Sequence, residues 1–179
     1  MKRVLILSSS PRSGGNTDFL CDSVADGVKS AGGEAVQLPV GRMNIEPCVG
    51  CDACRTGNPC VKKDDMAKII LEIAAADAVV FATPIYMYNI TAQLKAVMDR
   101  CYQIYPQGFN GKKTAFMAVA GGDVIEKTVA IDSYKGFLAC FRQVEDCGTV
   151  TSVCGNGKGA VAGTSAMVEA FELGVRLCL

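Results

Sequence analysis

The sequence predicts an α/β fold: a doubly wound, five-stranded parallel sheet of order 2-1-3-4-5 with helices on both faces. Two observations carry this. Short, continuously apolar runs alternate with helical stripes in the order βαβαβαβαβα, and runs that are apolar throughout mark strands buried on both sides. Right-handed crossovers then leave a doubly wound sheet, for which this order is the natural five-strand solution.

Each element follows from its local pattern. "RVLILSS" (3–9) is a short β-rich apolar run. "TDFLCDSVADGVKSAG" (17–32) spaces Leu20, Val24 and Val28 four apart, a helical stripe that ends at two glycines. "EAVQLPV" (34–40) reads as the second strand. "DDMAKIILEIAAA" (64–76) is a helix with acids in its first turn. "DAVVFATP" (77–84) is a buried strand stopped by Pro84, and "TAQLKAVMDRCYQI" (91–104) a helix. "KKTAFMAVAG" (112–121) is the fourth strand, followed by a helical region over 123–144. "CGTVTSVC" (147–154) is the fifth strand and "SAMVEAFELGVRLC" (165–178) the closing helix. The one long irregular insertion is a cysteine-rich loop at about 41–63, and long loops in compact domains tend to be functional. Without repeats or linkers, residues 1–179 are expected to form one flavodoxin-like domain.

Composition excludes several classes. Lys plus Arg equals Asp plus Glu, at 18 each, so there is no basic surplus to draw nucleic acid or an anionic membrane. The apolar run Val4–Leu7 is too short for a signal peptide, and nothing approaches a membrane span. A cytoplasmic location is therefore expected. The chain has no histidine, so histidine triads, histidine-ligated metals and a histidine base are ruled out. Ten cysteines in a reducing compartment are poor material for disulfides, and a clustered set points to metal or redox work.

In this strand order ligands sit beyond the strand ends between strands one and three. "SSSPRSGGNT" (8–17) there carries hydroxyl donors at Ser8 and Ser10, a fixed charge at Arg12, two glycines, and Asn16 or Thr17 to cap the next helix. It reads as a monophosphate cradle, the plainer reading being a turn plus a helix cap. It has neither the Walker spacing nor G-x-G-x-x-G, and "GNGKGA" (155–160) reads as a glycine-rich turn. After strand three, "TPIYMYNIT" (83–91) offers an aromatic, apolar loop suited to a flat ring. The plainer reading is that its tyrosines cover the core edge.

"PCVGCDACRTGNPC" (47–60) spaces Cys48, Cys51, Cys54 and Cys60 as C-x2-C-x2-C-x5-C. Compact runs of this kind ligate [4Fe–4S] clusters, with a fourth cysteine further on. Zinc also accepts four thiolates, though more often from two separated pairs. Because the loop follows the strand beside strand one, it is expected to open on the same edge as the switch point. The other six cysteines read as small core or surface residues.

These motifs resemble those of the NADPH-dependent FMN reductases and iron–sulfur flavoproteins. "SSSPRSGGNT" looks like their G-S-P-R-x-x-G-N-T loop, with Ser9 in place of glycine and one residue added. "TPIYMYNITAQLKAVMDR" is similar to their [ST]-P-x-Y-x-x-x-[ST]-x-x-L-K-x-x-[IM]-D-R segment at Thr83, Pro84, Tyr86, Thr91, Leu94, Lys95, Asp99 and Arg100. The resemblance implies an FMN-dependent oxidoreductase. Ser8, Ser10, Arg12, Asn16 and Thr17 would hold the FMN phosphate. Pro84, Ile85, Tyr86, Met87, Tyr88 and Asn89 would border the ring, with backbone N–H groups meeting its edge. Gly121, Gly122 and Asp123 would line its pyrimidine side. It also implies NADH, NADPH or reduced ferredoxin as electron donor, a small acceptor such as a quinone, and a homodimer or homotetramer. The four cysteines fit both cluster-bearing and cluster-free relatives. Two rival readings remain at this point: a flavodoxin-like electron carrier and a zinc-stabilised binding module.

Overall fold

The computed structural model describes residues 1–122 and 126–179. Five parallel strands run β1 (Arg3–Ser8), β2 (Glu34–Leu38), β3 (Ala78–Pro84), β4 (Lys113–Ala120) and β5 (Glu145–Val153). They lie in the order β2-β1-β3-β4-β5. The helices are α1 (Asn16–Ser30), α2 (Met66–Ala75), α3 (Ala92–Arg100), α4 (Glu126–Leu138) and α5 (Ser165–Cys178). Among the described residues no helix is long and apolar enough to cross a membrane.

The period-two pleat sends alternate residues of each apolar strand to opposite faces. Leu5 and Leu7 of β1, Val79 and Phe81 of β3, and Phe116 and Ala118 of β4 enter one core layer, under α2, α3 and α4. Val4 and Ile6, Val80 and Ala82, and Ala115 and Met117 enter the other, under α1 and α5. On that second face α1 crosses α5 at backbone contact. A Cβ on Gly27 would stand 2.0 Å from the Phe171 carbonyl oxygen, and one on Gly174 would stand 2.2 Å from that of Val24.

Several boundaries differ from the sequence reading: the helix expected over 91–104 ends at Arg100, where a 3-10 turn (Cys101–Ile104) takes over. Helix α4 stops at Leu138 rather than continuing to 144. Phe141 turns inward to meet Phe109 edge-on at 4.7 Å and Phe137 at 5.1 Å, and this aromatic packing outweighs continued helix. Gly111 N donates to the Gln143 carbonyl and Arg142 N to that of Pro106, so the freed segment bonds elsewhere and β5 begins two residues early, at Glu145.

Candidate functional site: a cleft at the switch point and a four-cysteine pocket

The loop after β1 is wired to the loop after β3 by buried hydroxyls. Thr91 Oγ1 donates to Ser9 Oγ at 2.9 Å, and Thr91 N donates to Thr83 Oγ1 at 3.1 Å. Thr91 also accepts from Leu94 N and so caps α3. Ser10 Oγ accepts from Arg12 N at 3.2 Å, which turns the chain back. Asp18 gathers the loop from inside α1, accepting from Ser8 Oγ at 2.6 Å, Gly14 N at 2.9 Å and Arg42 Nη1 at 3.2 Å. Arg42 also donates to the Ser10 carbonyl. The backbone of Gly41 packs so tightly here that a Cβ would lie 2.3 Å from the Ser9 oxygen.

Two adjoining pockets form one cleft on this frame. The narrower, about 100 Å³, is lined by Ser10, Arg12, Ser13, Asn16, Thr17 and Lys158, and continues past Pro84. The wider, about 520 Å³, is lined by Met87, Tyr88 and Gly122. Ile85, Tyr86, Gly121 and Asn156 border both. The N-cap of α1 is Gly15, with no side-chain cap, so neither Asn16 nor Thr17 caps the helix. Its first N–H groups, with the exposed cations Arg12 and Lys158, make the narrow end an anion site. Neither cation is in an ion pair among the described residues.

Most of the candidate residues meet at this cleft. Ser8 and Asn89 line neither pocket. The Ser8 hydroxyl is held by Asp18, and Asn89 Oδ1 accepts from Ile90 N and from Ser133 Oγ, both at 2.8 Å. Asn16 reaches the glycine turn instead, its amide donating to the Gly157 carbonyl at 2.9 Å. Asp123 lies outside the described residues.

Beyond Pro84 the chain makes a two-residue hairpin. Tyr86 and Asn89 exchange N–H···O bonds of 3.0 Å, and Ile85 N donates to the Val119 carbonyl. Those amides are therefore spent, and the tip amides of Met87 and Tyr88 are what the hairpin leaves for a ligand. Met87 and Tyr88 stand at φ +49° and +65° without being glycine. Met87 is 94% exposed and Tyr88 56%. Such backbone costs of order 1–3 kcal/mol per residue and tends to collect where a ligand or partner is met.

The "GNGKGA" turn is what sequence reasoning missed. Its lysine sits past the end of a parallel strand among glycines. That signal is legible once the strand order is known, because the turn folds back over the switch point. Lys158 Nζ lies 3.0 Å from where a Cβ on Gly14 would stand.

The cysteine loop begins at this edge but does not stay there. It reaches the far end of α3, at Arg100, which at ~1.5 Å per residue lies roughly 14 Å along the helix from Thr91. Cys48, Cys51, Cys54 and Cys60 line one pocket there with Arg100 and Tyr102. The base of the loop is zipped: Asn44 N donates to Asp65 Oδ2 and Glu46 N to Asp64 Oδ2. Its short 3-10 turn (Ala53–Thr56) is pinned by Arg55, whose guanidinium lies 5.2 Å from the Tyr102 ring centre and 5.4 Å from that of Tyr105. Burial, then the neighbouring thiols, push the Cys54 thiol up. Among the described residues no three His, Cys, Asp or Glu side chains are set around a single ion. Cys21 and Cys101 are buried core residues, and burial pushes the Cys101 thiol up to about 12, which makes it inert.

Comparison with known proteins agrees with this layout. An iron-sulfur flavoprotein of Methanosarcina thermophila is 34% identical over 116 residues, 65% of this chain and 61% of the relative. The chain thus spans under two thirds of that relative's length. Another iron-sulfur flavoprotein, from Archaeoglobus fulgidus, is 33% identical over 134 residues, 73% of this chain and 68% of the relative. The solved NAD(P)H:quinone oxidoreductase of Methanothermobacter marburgensis superposes with a TM-score of 0.71 at 20% identity, covering 98% of this chain and 96% of that one, which establishes a common fold. The family described as NADPH-dependent FMN reductase matches residues 2–137, from β1 through the cleft and the cysteine loop to α4, and the chain belongs to that family.

Proposed function

We propose that the protein is an FMN-dependent NAD(P)H oxidoreductase whose cofactor lies in the switch-point cleft. The observation that carries this is the cleft's polarity: a narrow cationic end at the α1 N-terminus opens into a wider apolar end under the hairpin. That shape suits a flat ring joined to a phosphate. Arg12, Lys158, Ser10 and the first amides of α1 would hold the phosphate. Pro84, Ile85 and Tyr86 would support one side of the ring, Gly121 and Gly122 would admit its edge, and Met87 and Tyr88 would cover it. When bound, FMN supplies hydride acceptance at N5 and onward transfer of the electrons. The protein's own part is to bind, orient and shield, which needs no histidine.

The donor we favour is NADH or NADPH, with a quinone or similar small acceptor and ferredoxin as a further candidate partner. A cytoplasmic homodimer or homotetramer fits this role, since the exposed hairpin tip would gain cover from a second copy. Turnover of NADH or NADPH with a free quinone tests the enzyme reading. Bound FMN without any such turnover would instead indicate an electron carrier.

We further propose that Cys48, Cys51, Cys54 and Cys60 hold a [4Fe–4S] cluster. Two observations support it. The four thiols share one pocket, in a compact C-x2-C-x2-C run with a fourth cysteine further on. The Arg100 Nε–H in the pocket wall is also buried with no partner. The cluster would exchange single electrons. Absorption spectra with iron and zinc analysis on anaerobically purified protein test this: about four irons per chain support it, and iron-free or zinc-loaded protein ends it.

A further inference from the structure

Arg100 ends α3 and is only 3% exposed. Nη1 is fully used, and Nη2 spends one of its two N–H groups. Nη1 donates to Asp64 Oδ2 and to the Glu46 carbonyl, both at 2.8 Å, and Nη2 donates to Asp64 Oδ1 at 3.0 Å. With the fork spent on Asp64, Nε–H is left over, buried and unpaired. Buried N–H groups are rarely abandoned in this way. Arg100 lines the cysteine pocket, and Cys60, four residues before Asp64, lines it too. Cys60 is the pocket thiol nearest in sequence to Asp64, which holds Arg100.

The other thiols are placed differently. Cys48 and Cys51 are exposed, and Cys48 takes only a long bond from Gly50 N, at 3.5 Å. All four line the pocket with the buried Arg100, and Cys60 is the one closest in sequence to the Asp64 that holds it.

We propose that Arg100 is the positioning residue of the cysteine pocket, donating Nε–H to the Cys60 thiolate of the bound cluster and raising the cluster's reduction potential. This rests on the cluster reading above. One-electron reduction leaves the cluster and its four thiolates one unit more negative. A charge-assisted N–H···S bond favours that added charge, and hydrogen bonds to the sulfurs are among the levers that set such potentials. Asp64 holds the guanidinium in place, and its own charge is already matched by the fork.

The test is a redox titration, followed by electron paramagnetic resonance, of wild type and Arg100→Lys after iron content is measured in both. Lysine keeps a positive charge beside Asp64 but has no Nε–H. The expected result is unchanged iron content and a reduction equilibrium constant about tenfold lower, about 59 mV for one electron. An intact cluster with an unmoved potential overturns the role of Arg100 and leaves the cluster reading standing. Wild type without iron overturns both. Should Arg100→Lys fail to fold, wild type labelled with 15N-arginine decides. One arginine Nε–H resonance is expected to show a contact shift on cluster reduction, and the absence of any such shift overturns the proposal.

Discussion

Arg100 and Asp64 form a two-point ion pair sealed from solvent, with side chains 2% and 0% exposed. Asp64 closes the cysteine loop and Arg100 ends α3, so the pair ties the loop to the core. Asp64 also accepts from Glu46 N at 2.9 Å and Met66 N at 3.1 Å, which leaves neither oxygen idle. Removing one member strands a buried charge. Asp64→Ala is expected to lose about 3–5 kcal/mol of stability, read from urea unfolding. A loss under ~1 kcal/mol would mean that water reaches Arg100.

The same carboxylate makes stability depend on acid. Burial alone pushes the Asp64 carboxyl up, but the Arg100 hydrogen bonds, the Glu46 and Met66 amides and the Arg100 charge outweigh it, so its pKa is lowered. A lowered folded pKa gives stability that is complete above the unfolded value, ~3.9, and is lost as pH falls through the folded one. Wild type should therefore weaken below about pH 4, and Asp64→Asn should show a shallower acid slope. Parallel slopes for the two proteins would assign the acid sensitivity to other carboxylates.

The narrow end of the cleft carries two cations, Arg12 and Lys158, that are in no ion pair among the described residues. A hydrogen bond to a charged group contributes ~1.5–3 kcal/mol, so Arg12→Ala and Lys158→Ala should each weaken FMN binding by roughly 10- to 100-fold. Quenching of flavin fluorescence measures this. Riboflavin, which lacks the phosphate, should bind both variants as it binds wild type. An equal loss for riboflavin would move the phosphate elsewhere.

Periodicity made the fold legible because β1, β3 and β4 are apolar on both faces and each helix repeats its stripe. It misplaced the end of α4, because Phe141 leaves the helix for a tertiary aromatic contact with Phe109. In the cleft, Arg12, Tyr86 and the glycines stood out by type and position. Lys158 did not, since a turn beyond β5 becomes part of the site only through three-dimensional return. Asn16 and Asn89 make contacts that were not legible for a related reason: their amides satisfy backbone and hydroxyl groups that only the folded chain brings near. The descent of the cysteine loop along α3 likewise depends on the pairing of Asp64 with Arg100, 36 residues apart.

The hairpin tip holds backbone strain at Met87 and Tyr88. Two-residue turns of this hand prefer Asn-Gly. Met87→Asn with Tyr88→Gly is therefore expected to raise stability by about 1 kcal/mol or more. It should also lower turnover with NAD(P)H, because the exposed side chains that would cover the ring are lost. Higher stability with unchanged turnover would free the tip from any part in the reaction.

Gly41 tests the cleft from behind. No side chain fits between it and the phosphate loop, since a Cβ would meet the Ser9 oxygen at 2.3 Å and the Ser10 oxygen at 2.5 Å. Backbone cannot yield as a flexible side chain can, so Gly41→Ala must displace Ser9 and Ser10 or the turn carrying Arg42. Either movement disturbs the amides and hydroxyls that would hold the phosphate and the bond from Thr91 Oγ1 to Ser9. The expected outcome is a folded protein, judged by circular dichroism, whose FMN affinity falls by at least tenfold while iron content of anaerobic preparations stays at the wild-type level. The cysteine pocket lies at the other end of α3 and should not sense the change. Loss of iron together with FMN would mean that the loop from Gly41 to Asp64 moves as one piece and couples the two sites.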